Sequence, residues 1–231
     1  MSGIVVFRRW LKKIAFAWRC YNNPPSIPSD TYQKYPSSHK FGGKKVLNVG
    51  CGNSVYRHPN VINLDAYGGS GVDLVHDLNK PLPFEDSSFD YIIANHILEH
   101  IDNWWDCFKE LARVVKVGGI IEVWVPGDGG SSQLGYRDHR HIINQCSFVG
   151  LRGTHRNQAN AWEKQDAANN GFVRDLIVEG SVRTRAIDFW WTQFVPDVWL
   201  LWATEHLRNV IAEVGWFFKK LPQLKEGETW K

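Results

Sequence analysis

Five short apolar runs, each closed by a glycine, an acid, an amide or a proline, constrain the fold of this chain more than any other feature. They are Lys45–Val49, closed by Gly50-Cys51-Gly52; Val61–Asp65; Val72–His76, closed by Asp77; Phe89–Asn95; and Ile120–Val125, stopped by Pro126. Runs of this length, rich in Val and Ile, predict buried strands. Between the fourth and fifth, Asn103–Val115 carries a helical stripe of Trp105, Phe108, Leu111, Ala112 and Val115, with Asp102 expected as the N-cap and Lys116-Val117-Gly118-Gly119 as the break. Strands alternating with connections predict an α/β domain whose parallel sheet receives ligands at the carboxyl ends of its strands. The chain has 231 residues, 43% of them hydrophobic, which suffices for one core and excludes global disorder. No apolar run is long enough to span a bilayer, and residues 3–20 lack the pattern of a signal peptide.

The strand ends carry the candidate chemistry. Glycines at 50 and 52 let the backbone turn sharply and approach a ligand closely. An acid at the end of the second strand, Asp65, can accept both hydroxyls of a ribose. Asp77 and Leu78 then offer an acceptor for an exocyclic amine beside an apolar ring contact. Each feature alone also fits an ordinary loop; their order makes the combination specific.

The run VLNVGCGN, then NLD, then DLVHDLNKPLPFEDSSFDYIIANHILEHIDN, then ELARVVKVGGIIEVWVP, resembles the class I S-adenosylmethionine-dependent methyltransferases over residues 44–126, and more weakly through His141. The resemblance implies an α/β fold with a Rossmann-like, doubly wound, mostly parallel sheet. It implies S-adenosylmethionine as the cofactor, with Gly50, Cys51 and Gly52 along its methionine part, Asp65 on the ribose, Asp77 and Leu78 on the adenine, and Asn95 and His96 beside the sulfonium. Glu99 and His100 match the family's post-strand pair, in either a packing or a catalytic role. Asn48 stands where the family often has an acid, so it would hold the amino-acid end of the cofactor by hydrogen bonding only. Asn53-Ser54 replaces a third glycine, and only Asn53–Asn60 separates Gly52 from the second strand, so the usual first helix is expected to be a turn or missing. These departures disfavour a dinucleotide, whose pyrophosphate needs that helix N-terminus.

Methyl transfer to a hydroxyl benefits from a general base. The segment Tyr136-Arg137-Asp138-His139-Arg140-His141 follows the fifth strand and supplies His139 or His141 as that base, with Asp138 as its orienter; the same residues read equally as a solvated loop. The acceptor is expected to be a small molecule or saccharide, lipid-linked in one version. The rival reading is a non-catalytic cofactor-binding or membrane-associated scaffold of the same fold. Nucleic acid is not expected as a partner: residues from 46 onward are net acidic, and Asn95-His96-Ile97-Leu98 lacks the motif of amino-methylating nucleic-acid enzymes. The four cysteines form no C-x-x-C pair and no His cluster has zinc spacing, so no metal is expected and a reducing, cytoplasmic setting is the default.

The unusual composition lies in the flanks. Residues 1–45 hold nine Lys/Arg and one acid. Ile4, Phe7, Leu11, Ile14 and Trp18 share a face of an expected amphipathic helix over 3–20, with most of the basic residues opposite. Residues 1–40 read as this helix plus a linker; residues 41–231 read as the methyltransferase domain, with its motif core at 44–126 and a substrate or cap region at 127–231. Phe172–Val178 reads as a late strand. Short helical pieces are expected near 144–151 and 157–168, and a helical cap over Asp197–Val214, with Leu200, Ala203, Leu207, Val210 and Val214 as its core stripe. The aromatic stretch 189–203 reads as a cap over the sheet edge, a substrate lid, a homodimer surface or a membrane-contacting edge. Residues 3–20 read as a peripheral membrane anchor or as a helix packed on its own domain.

Overall fold

The computed structural model describes residues 41–127, 133, 135–144, 147–148, 176–185 and 211–222. The expected helices over 3–20 and 157–168, the aromatic stretch 189–203 and residues 197–210 of the expected cap lie outside the described residues.

The strands are β1 (Val46–Val49), β2 (Val61–Asp65), β3 (Leu74–Val75), β4 (Phe89–Asn95), β5 (Val115–Pro126), β6 (Leu176–Arg185) and β7 (Ile211–Lys220), with one described α-helix, α1 (Trp104–Val114). They form one seven-stranded sheet in the order β3-β2-β1-β4-β5-β7-β6. The first five strands pair in parallel; β7 runs antiparallel to both β5 and β6. The fold is therefore the expected α/β class with a mostly parallel sheet. The chain steps outward from β1 through β2 to β3, then returns to the other side of β1 with β4. That reversal opens a crevice between the carboxyl ends of β1 and β4, where open α/β sheets bind ligands.

Helix α1 begins one residue later than expected. Asn103, not Asp102, is the N-cap, its side chain accepting from the Asp106 N–H. Asp102 instead pairs with Arg140. The buried face of α1 is Cys107, Phe108, Leu111, Ala112 and Val114, packed with β4, β5 and the aromatic side of β7. The segment before β4 is clamped to α1 by Arg113, which donates to Glu110, Asp86 and the carbonyls of Leu82 and Phe84. The Arg113 guanidinium holds the Glu110 carboxyl below its ordinary range. The break at Lys116–Gly119 is a bulge inside β5: Val115 pairs with Phe89 and Ile120 with Tyr91, so four residues oppose Asp90 alone. Gly118 takes φ +81° there, a conformation that favours glycine.

Two expectations at the carboxyl half are corrected. The helix expected through Val214 does not hold over its last residues, because Ile211–Val214 belong to β7. The overriding signal is the period-two alternation of Val214, Trp216 and Phe218, which puts all three on the α1 side of the sheet. Gly215 is required between them, since a Cβ there would sit 2.7 Å from the Trp124 ring. The late strand expected at Phe172–Val178 overlaps β6, which runs on to Arg185; residues 172–175 lie outside the described residues.

Lys220 ends β7 almost completely buried. Its ammonium donates to the carbonyls of Ala112 (2.6 Å) and Val115 (3.0 Å), capping the carboxyl end of α1. Lys220→Met should preserve the packing volume but leave those carbonyls without this donor, lowering unfolding free energy by about 1–3 kcal/mol in urea titrations; no change would show the cap to be dispensable.

Candidate active site

The crevice between β1 and β4 holds a cavity of about 280 Å³. Its wall comprises Asn48, Gly50, Cys51, Gly52, Asn53, Ser54, Tyr56, Ile93, Asn95 and His96. Six of the nine residues expected to hold the cofactor thus converge on one space. Asp65, Asp77 and Leu78 are not part of its wall.

The turn after β1 depends on its glycines for different reasons. Gly50 takes φ +60°, and a Cβ there would lie 2.3 Å from Ile97, so neither conformation nor space admits a side chain. Gly52 takes φ +48°, but a Cβ there would meet nothing within 4 Å. The space over Gly52 is open to a ligand. The Gly52 N–H donates to Asp65 Oδ2 (2.8 Å) and the Tyr67 N–H to Asp65 Oδ1 (3.0 Å). Asp65 is thereby fixed in orientation while each oxygen keeps a second acceptor site for a hydroxyl.

No helix forms between Gly52 and β2. A buried amide network holds this segment instead. Asn48 Nδ2 donates to the Ser54 carbonyl and to Asn63 Oδ1. Asn63 Oδ1 also accepts from the Tyr56 N–H, and its Nδ2 donates to the Tyr56 carbonyl and to Asp73 Oδ2. Asn48 and Asn63 are 2% and 3% exposed, so the bond between them is shielded from water and the others are partly so. Both amide hydrogens of Asn48 go to protein acceptors, which makes this residue a brace for the cavity wall.

Cys51 is buried in the same wall. Burial first, then the nearby Asp65 charge, pushes its thiol up, so it is not a thiolate nucleophile at neutral pH. Asp77 is partly exposed; hydrogen bonds from the backbone and side chain of Asn79 hold its carboxyl below the usual range. Leu78 is buried beside it.

His96 follows β4 with φ +50°, an uncommon conformation for a non-glycine residue. The turn directs its ring between two acids. Nε2 lies 2.7 Å from Glu213 Oε1 on β7, and Nδ1 lies 3.3 Å from Glu99 Oε1 in the 3-10 turn Leu98–His100. Burial alone would lower the pKa of this imidazole, but the hydrogen bond to Glu213, with Glu99 adding to it, raises it to about 9. At pH 7 His96 is a cation with both ring nitrogens occupied, a strut rather than a proton acceptor. Sequence reasoning missed Glu213, which lies within a segment expected to be helical; it also missed Asn53, Ser54, Tyr56 and Ile93 as wall residues.

The segment 136–141 lies against the 3-10 turn, where the N–H groups of Arg140 and His141 donate to the Glu99 carbonyl. Neither His139, His141 nor Asp138 lines the cavity. Backbone carbonyls orient the two rings: Gln133 O meets His139 Nδ1 and Asp102 O meets His141 Nε2. The Asp138 carbonyl meets His100 Nδ1 at 3.1 Å.

Residues 56–123 match the family described as a methyltransferase domain. Over that stretch the chain is similar to methyltransferases. It is similar to a demethylmenaquinone methyltransferase of Geobacillus stearothermophilus, 30% identical over 169 residues that cover 62% of this chain and 65% of that protein. A demethylmenaquinone methyltransferase of Bacillus licheniformis is 35% identical over 77 residues, 32% of this chain and 33% of that one. The chain thus spans less than two thirds of the length of these curated relatives. A solved S-adenosylmethionine-dependent methyltransferase of Archaeoglobus fulgidus is 14% identical, with a TM-score of 0.49 over 78% of this chain and 87% of its own.

Because the folded pKa of His96 exceeds its unfolded value near 6.5, the stabilisation it brings is complete below pH 6.5 and is lost as pH rises through about 9. The ring is 30% exposed, so solvent screening reduces the effect to about 1–3 kcal/mol. Urea titrations between pH 6 and 9.5 should show this decline in the native protein and a clearly smaller one in Glu213→Gln; equal declines would remove His96 as the cause.

Proposed function

We propose that this protein transfers a methyl group from S-adenosylmethionine to a hydroxyl of a small-molecule acceptor. The observation that carries this reading is the open space over Gly52, bounded by Gly50-Cys51-Gly52 and next to an Asp65 whose orientation is fixed and whose acceptor capacity is unfilled. These residues fit the cofactor: backbone glycines for close approach, a carboxylate for ribose hydroxyls, and Leu78 beside Asp77 for an adenine. Asn95 and His96 would lie toward the reacting end, and Asn48 would support it through the wall. When bound, the cofactor supplies an electrophilic methyl group for in-line displacement.

The protein's own contribution is alignment and exclusion of water. A hydroxyl acceptor also needs a proton acceptor. Of the two histidines nominated by the sequence, His141 suits this role better: its Nε2–H donates to Asp102 O, which leaves Nδ1 with a lone pair. The His139 ring is instead stacked on Tyr136 and edge-on to His100. The curated relatives are named for demethylmenaquinone, which supports an organic small molecule over nucleic acid and places a quinone beside a saccharide among acceptors to test. No helix among the described residues is long and apolar enough to cross a membrane. Membrane contact through residues 3–20 or 189–203, and a homodimer, remain parts of the proposal addressed by liposome flotation and sedimentation.

Transfer of tritiated methyl from S-adenosylmethionine to a panel of quinols, phenols and saccharides tests the reading. Turnover is expected with at least one class, falling about 100-fold or more in Asp65→Ala and less steeply at high pH in His141→Ala, where solvent base takes over. Cofactor binding without turnover across the panel would replace this reading with the scaffold one.

A further inference from the structure

The 3-10 turn after β4 and the segment 136–141 bring together three metal-ligating side chains that lie outside the cavity wall. One donor atom from each of Glu99, His100 and His139 lies within 4.8 Å of the other two. Glu99 is fully buried, and its Oε2 accepts no hydrogen bond from the described residues. Its cationic neighbour His96 approaches Oε1 at 3.3 Å but lies closer to Glu213, at 2.7 Å. A buried carboxylate that shares its one cationic neighbour with Glu213 is incompletely compensated, and a further cation at Oε2 would relieve it.

The two imidazoles are set up alike. His100 Nδ1 lies 3.1 Å from the Asp138 carbonyl and His139 Nδ1 lies 3.2 Å from the Gln133 carbonyl. A ring nitrogen facing a carbonyl oxygen must carry the proton, so in each neutral ring Nε2 keeps its lone pair. Backbone acceptors that fix the tautomer in this way are the usual outer support of metal-binding histidines. The rings are held in place, edge to face at 4.7 Å, with Tyr136 stacked on His139 at 5.2 Å. Bonds of about 2.1 Å in a tetrahedral site put ligand atoms about 3.4 Å apart, so the three groups need to close by no more than about 1.4 Å.

We propose that Glu99, His100 and His139 form a binding site for a divalent transition ion of the Zn²⁺ type. Two imidazoles and a carboxylate suit that ion in preference to Ca²⁺ or Mg²⁺, which take all-oxygen shells. Three protein ligands leave a coordination position open to water or to an oxygen of a substrate. The ion itself does not depend on methyl transfer, so the two readings fail separately. Sequence spacing hid the site because its donors come from two separate segments.

The test uses the full chain stripped with a chelator and titrated with Co²⁺, whose visible absorption reports tetrahedral nitrogen and oxygen ligation. One equivalent should bind and raise the melting temperature, and His100→Asn and His139→Asn should each weaken binding by more than about tenfold while keeping the native far-ultraviolet dichroism. No absorption change up to millimolar Co²⁺, or unchanged affinity in both variants, would overturn the proposal.

Discussion

The cavity between β1 and β4 depends on a buried amide network. In open α/β domains the chain leaving the first strand enters a helix that packs on the sheet and steadies the ligand loop. Here Asn53–Asn60 is too short for that. Asn63, at the middle of β2, takes over: it binds Asn48 on the neighbouring strand, both backbone groups of Tyr56, and Asp73 ahead of β3. Three other chain segments are tied to one side chain that is shielded from water. Removing a single partner from such a network exposes the others to the full cost of an unmade bond, about 1–3 kcal/mol each. The wall residues Gly50 to Tyr56 keep their positions through this network and through the Asp65 carboxylate, which takes the Gly52 N–H.

The opposite wall is built on charge. His96, strained into the left-handed region, joins the end of β4 to β7 through Glu213 and to the 3-10 turn through Glu99. The carbonyl of Glu99 in turn holds the 136–141 segment. One turn therefore links the proposed cofactor cavity, the proposed base and the proposed metal site.

Much of this organisation is legible in the sequence where local pattern and tertiary need agree. The bounds of β2 and β4 coincide with their apolar runs, and the cavity wall contains Gly50, Cys51, Gly52, Asn95 and His96 because strand ends fix where a parallel sheet presents its ligands. The helix expected through Val214 gives way to strand at Ile211–Val214 because a 3-4 spacing and a period-two alternation share that valine, and only the partner strand β5 decides between them. Glu213 and the Glu99–His100–His139 cluster were beyond reach for a related reason: they come from segments far apart in the chain, with no spacing to register. Asn48 was legible as a departure from the family, but its role as a brace needed the position of Asn63 and Ser54. The two histidines of the 136–141 segment are oriented by backbone carbonyls, which no residue pattern encodes.

The central claim is that the space between β1 and β4 receives S-adenosylmethionine. Isothermal titration of the full chain with S-adenosylhomocysteine, the demethylated cofactor, tests it without reference to any acceptor. The account predicts one equivalent bound in the micromolar range, with affinity lost in Asp65→Ala and retained in His141→Ala. Absence of binding at millimolar ligand, or equal affinity in all three proteins, would contradict it.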